Sequence, residues 1–102
     1  MITNGRCTIV RCENDAYYLI WQGDCMWQEV KGAETKAYGE ERADSVSVWI
    51  YDMSAEISEG DMIIRGDYDD YELAAKNGLT VSSVSCNDYG SPEMHHIEMG
   101  AK

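Results

Sequence analysis

The sequence predicts a mainly β domain, a small antiparallel barrel or sandwich with one short helix. Three observations lead there. "SVSVWIY", residues 45–51, alternates as a half-buried strand does, with Val46, Val48 and Ile50 on one face. Five to seven strand-like runs follow one another at near-regular spacing between turn signals. One stretch, "DYDDYELAAKNG" at 67–78, combines helix start and stop signals.

A chain of 102 residues suits a single domain over 1–102, because two separate cores could not each be stable at this length. Apolar residues make up 44% and Phe is absent, so the core is expected to draw its bulk from seven Tyr, three Trp, six Met and the Val/Ile set. Trp and Tyr have polar tips that need partners, which would bring such a core to the surface in places.

In chain order, "RCTIVR" (6–11) is a β-branched first strand. "YYLIW" (17–21) and "CMWQEV" (25–30) flank Gln22-Gly23-Asp24, which reads as a hairpin or as one long strand bent at a glycine bulge. Residues 31–45, "KGAETKAYGEERADS", have no apolar period and read as a mobile loop. Structureless loops beyond about 12 residues are uncommon in compact domains unless they have a task. Glu34, Tyr38, Glu40, Glu41, Arg42 and Asp44 are therefore candidate interaction residues that order on a partner, the alternative being an insertion without a role. After the strand at 45–51, Glu59-Gly60-Asp61 is a turn and Met62–Arg65 a strand closed by Gly66. Asp69 or Asp70 is the N-cap of the helix and Asn77-Gly78 its C-cap. "LTVSSVSC" (79–86) is the next strand, and "NDYGSP" turns the chain. A last strand at 93–99 would place Met94, His96 and Glu98 on one face and His95, Ile97 and Met99 on the other.

The net charge of −11 argues against direct nucleic-acid recognition, which needs clustered Lys and Arg. Residues 34–72 hold twelve acids against Lys36, Arg42 and Arg65, a net of −9. That region is a solvated face or a surface for a basic partner. No apolar run suits a signal peptide or a membrane span. The chain reads as made in a reducing cytosol, with Cys7, Cys12, Cys25 and Cys86 as small buried hydrophobes and not a disulfide framework.

Motifs that would carry chemistry are weak. The cysteines lack the short paired spacing of a zinc site, and His95 and His96 would point to opposite sides of a strand. "DYDDYE" (67–72) is a loose cation loop without a calcium-loop register, and a helix N-terminus explains its acids. No G-x-S-x-G elbow is present, and the glycines of "GDMIIRGD" lack the Lys-Ser/Thr of a phosphate loop. Cys86 could pair with a histidine, but nothing local activates it and a buried strand position would keep it inert. Carboxylate-pair chemistry has no specific support. The expectation is a binding or structural protein with no catalytic residue, metal or cofactor.

The succession "SVSVWIY", "EGDMIIRGDYDD" and "LTVSSVSCNDYGSPEMHHIEMGAK" resembles a family of small proteins from the head-to-tail gene region of tailed phages and prophages of Gram-positive bacteria. The family's G-D-x-[IV]-V-[KR]-G turn and strand is matched by Gly60, Asp61, Ile63, Ile64, Arg65 and Gly66. Its D-x-G-S-P-x-M-[RH]-H-W ending is matched by Asp88, Gly90, Ser91, Pro92, Met94, His95 and His96. Ile97 stands where the family has Trp, and a residue near Met53 where it has Pro. The likeness covers 45–102, and the first 44 residues share only a general pattern.

The resemblance implies a virion structural protein of the connector region, of the minor capsid, head completion or stopper-like kind. It implies a small barrel that assembles as a ring, contacts portal or adaptor and tail proteins, and does no chemistry. Its location would be the host cytoplasm during assembly and then the virion, with no membrane. Within it, Gly60, Asp61, Gly66, Gly90, Ser91, Pro92, His95 and His96 would be structural. The alternative is a cytoplasmic β-barrel module that captures a peptide or small ligand through Trp21, Trp27 and Trp49.

Overall fold

A computed structural model describes residues 2–30, 45–88, 90–91 and 94–102, with Val30 placed by its backbone alone. The loop reading at 31–44, with Glu34, Tyr38, Glu40, Glu41, Arg42 and Asp44, lies outside the described residues, as does Pro92. The elements are β1 (Gly5–Glu13), β2 (Ala16–Val30), β3 (Ser45–Ile50), β4 (Met62–Arg65), α1 (Tyr71–Asn77), β5 (Leu79–Asn87) and β6 (His96–Ala101). The six strands close into an antiparallel barrel in the order β1-β2-β3-β6-β5-β4, with β4 returning to β1. Every strand thus has a neighbour on both sides, so the predicted fold class holds in its barrel form.

The first hairpin turns at Asn14 and Asp15, both with positive φ (54° and 64°), as a two-residue turn between twisted strands requires. The run from 16 to 30 is then one strand. Its bulge is at Ile20, because Ile9 pairs with Trp21 and Val10 with Leu19. Gly23 has another purpose. A Cβ there would stand 2.8 Å from Cη2 and Cζ2 of the Trp21 ring, so the missing side chain is the space into which the indole folds. A second irregularity leaves Ser82 unmatched in β5, and such bulges supply the bending that a barrel of few strands needs.

The interior consists of Cys7, Ile9, Cys25, Trp27, Val46, Val48, Ile50, Ile63, Val81, Ile97, Met99 and Ala101. The expected contribution of Tyr to the core is thus corrected: among the described residues the buried cluster contains no Tyr, and its one Trp is Trp27. A six-stranded bore is narrower than the eight-stranded one that side chains just fill, and it favours Val, Ile, Cys and Ala. Met53, Ala55 and Ile57, from the connection between β3 and β4, pack half-buried against this cluster.

Helix α1 lies against β4, β1 and β2 on the outside of the wall. Asp70 is its N-cap and accepts the Leu73 amide at 3.1 Å. Gly78 ends the helix in extended backbone (φ −90°, ψ −177°), and a Cβ there would be 2.7 Å from the Ile63 carbonyl oxygen. Its role is close approach and not the left-handed cap expected. Thr8, Val10 and Ala74 are buried yet outside the interior cluster, a second thin layer under the helix side.

Two further expectations are corrected. The closing strand is His96–Ala101, because Gly90 (φ 86°) and a bond from the Met94 amide to the Ser91 carbonyl at 2.9 Å keep the chain turning through Met94. Ile97, Met99 and Ala101 then point inward. Of the cysteines, Cys7 and Cys25 are buried, but Cys12 and Cys86 are exposed. Each of those two is the penultimate residue of its strand. Finally, Ser45, which the loop and strand readings shared, goes to the strand β3.

Candidate functional site

The motif residues resolve into turns and ties. Gly60 (φ 97°) and Gly66 (φ 107°) bracket β4 in conformations that L side chains avoid. Between them Asp61, 2% exposed, accepts two bonds from Arg11 and the Ser58 amide at 2.9 Å, which anchors the turn to β1. Thr8 Oγ1 donates to the Gly66 carbonyl at 2.7 Å and accepts from Gln22 and the Tyr68 amide, which pins the following segment. Three of the four acids at 67–72 also have structural partners: Asp67 pairs with Arg6, Asp70 caps α1, and Glu72 pairs with Lys76.

His96 and His95 differ in setting. His96, first in β6, stacks on Trp49 at 4.5 Å between centroids and lies 6.3 Å from Tyr51 at a tilt. Its Nδ1 is 3.1 Å from the Met94 carbonyl and its Nε2 is 3.0 Å from the Asn87 amide nitrogen. The carbonyl can only accept, so in the neutral ring Nδ1 bears the proton and Nε2 takes the amide hydrogen. Glu98 stands beside it, 3.9 Å from Nε2. Nε2 of His95 is buried without a partner among the described residues.

One concavity lies where three segments meet. It is an open groove of about 580 Å³ lined by Thr3, Trp21, Asp24, Tyr51 and Asp52. Asn4 holds its N-terminal wall: it donates to the Trp27 carbonyl at 2.8 Å and accepts the Trp27 amide at 2.7 Å. The Tyr51 hydroxyl donates to the Ile2 carbonyl at 3.1 Å. The indole N–H of Trp21 donates to Asp52 Oδ2 at 3.0 Å, while Asp52 Oδ1 accepts the amide and hydroxyl of Ser54. These bonds favour the charged form and hold the Asp52 carboxyl below the usual aspartate range, Ser54 contributing most and Trp21 next. Asp24 accepts from Arg6 at 3.0 Å, and Arg6 also binds Asp67.

A three-tryptophan capture surface is not formed. Trp27 faces the interior at 7% exposure, whereas Trp49 is on the outer wall and Trp21 lines the groove. Sequence reasoning missed the pairing of Trp21 with Asp52, 31 residues apart, because neither lies in a motif. The Asn14-Asp15 turn did have a signal, a polar pair between two β runs.

A family model described as "Family of unknown function (DUF6751)" matches residues 2–102. The chain belongs to that family. No curated protein and no solved structure matches it. Membership spans the N-terminal half, so the hairpin and the groove residues Thr3, Trp21 and Asp24 fall within the family's own extent. Among the described residues no group of three or more His, Cys, Asp or Glu is placed to hold a metal ion.

Proposed function

We propose that this chain is a structural subunit of the head–tail connector region of a tailed phage or prophage. It joins portal or adaptor to tail proteins through protein–protein contacts, as a ring in the assembled particle and without a chemical step. One observation carries the reading: described residues of both resemblance motifs hold turn and strand positions of the barrel. Gly60, Asp61 and Gly66 set the turns around β4, and Gly90, Ser91 and His96 lead into the closing strand. A likeness on such residues is a likeness of scaffold, and the scaffold here is a small closed barrel of the kind the resemblance implies. Exposed Trp49, Met94 and Ile2 add apolar surface suited to protein contact.

The reading is tested by inactivating the gene in its parent phage or prophage and viewing the particles by electron microscopy. Filled heads and separate tails are expected, with joining restored by the gene in trans. Intact tailed particles without the protein would overturn it. A second reading, a binding module for a peptide or small ligand, is favoured by the groove at Trp21, Asp24, Tyr51 and Asp52. In that case the protein is not found in purified virions.

A further inference from the structure

We propose that the groove beside Trp21 is a docking site for an arginine side chain on a basic segment of a partner chain. The site joins two aromatic rings, Trp21 and Tyr51, to two carboxylates, Asp24 and Asp52. A planar guanidinium suits that combination, because it can lie on a ring face while its N–H fork reaches a carboxylate. Both carboxylates keep accepting capacity. Asp52 takes one bond from Trp21 and two from Ser54, fewer than its four lone-pair directions, and its lowered pKa keeps it charged. The indole that donates to this carboxylate is also the more electron-rich for doing so, which strengthens its face as a cation acceptor.

The charges around the groove leave it negative. Arg6 is shared between Asp24 and Asp67, so one cation serves two anions. Arg65 stands behind the Asn4 wall, donating to the Asn4 carbonyl at 3.1 Å and lying 6.0 Å from the Trp27 ring centre, and is not one of the residues that line the groove. The net charge of −11 gives the same sign at long range and steers a basic partner in.

A protein segment, and not a free cation, is the occupant for two reasons. At about 580 Å³ and open, the groove is larger than one guanidinium group. It also continues onto a partly exposed strip: Tyr51 lines it, His96, half-buried, lies 6.3 Å from Tyr51, and Trp49, 36% exposed, stacks on His96. Residues beside the arginine would lie along that strip. The groove is read from its own residues and stands whether or not the chain joins heads to tails, so the binding assay and the particle phenotype fail separately.

The test is a titration of the isotope-labelled full chain with capped hexa-arginine, capped hexa-lysine and N-acetyl-arginine amide, followed by amide and indole resonances. The Trp21 indole N–H and the amides of Asp24 and Asp52 should move most. Hexa-arginine should bind about fivefold or more tighter than hexa-lysine, since ammonium lacks the planar fork. The single arginine derivative should bind about tenfold or more weaker than hexa-arginine, because it leaves the strip unused. Asp24→Asn with Asp52→Asn should weaken hexa-arginine about tenfold or more, while Glu59→Gln with Asp69→Asn, an equal charge change elsewhere, should weaken it by less than about twofold. If the first pair does not fold, Asp24→Asn alone, expected about threefold weaker, decides. Equal weakening by both pairs, equal binding of the two peptides, or shifts centred outside the groove would each overturn the proposal. Binding of the single derivative as tight as hexa-arginine would reassign the site to a free small cation.

Discussion

Arg11 and Asp61, fifty positions apart, meet as a two-pronged pair, Nε to Oδ1 at 2.8 Å and Nη2 to Oδ2 at 3.0 Å. The Asp61 side chain is 3% exposed and that of Arg11 29%. Asp61→Ala strips the acceptor from Arg11 and from the Ser58 amide together. Breaking a fully buried pair costs about 3–5 kcal/mol, and the partial exposure of Arg11 lowers the expectation to about 2–3 kcal/mol. Urea unfolding measures it, and a midpoint equal to that of the parent chain would show that the pair is not what anchors the turn.

Gly23→Ala places a methyl where the Trp21 ring lies, 2.8 Å from two of its carbons. The ring is at the end of a side chain but is tethered to Asp52, so displacement should break that bond at a cost of about 1 kcal/mol. The Trp21 indole N–H resonance should shift toward its solvent-exposed position. In a Trp21→Ala background the same substitution should be neutral or slightly stabilising. A penalty that persists there would place the strain in the backbone.

Thiol accessibility should divide the cysteines two and two. Cys12 and Cys86 are exposed and should react with an aromatic disulfide reagent in the native state. Cys7 is fully enclosed, and the neighbouring Cys25 thiol, together with burial, pushes its thiol up. Cys25 is shifted down by the Cys7 thiol beside it, but it is also 0% exposed and offers no surface to a reagent. All four should react in denaturant. A fast reaction of Cys25 in native buffer would show that the bore opens readily.

The Asp52 carboxyl has a folded pKa below its unfolded value, so the stability it contributes is present above the unfolded value of about 3.9 and is lost as pH falls through the folded one. The Trp21 indole resonance should therefore hold steady from neutral pH to about 4 and move only below it. Asp52→Asn should remove that movement. A transition centred above the ordinary aspartate range would contradict the bonds from Ser54 and Trp21.

The sequence by itself determined the elements whose signals are local. Val46, Val48 and Ile50 alternate, and β3 has them inward. The acids before Tyr71 and the helix formers after it placed α1 within a residue or two, and Gly60 and Gly66 marked β4 because positive φ is a property of single residues. The tertiary structure alone decided what depends on distant partners. Barrel and sandwich differ only in whether β4 pairs with β1, a contact between Cys7 and Arg65 that no local pattern encodes. Bore width, set by strand number, kept the described tyrosines out of the core. The groove arises because Gly23 lets Trp21 fold toward Asp52 of the connection after β3 while the segment before β1 closes the third side. None of those three segments is a motif, and their chemistry exists only once the barrel brings them together.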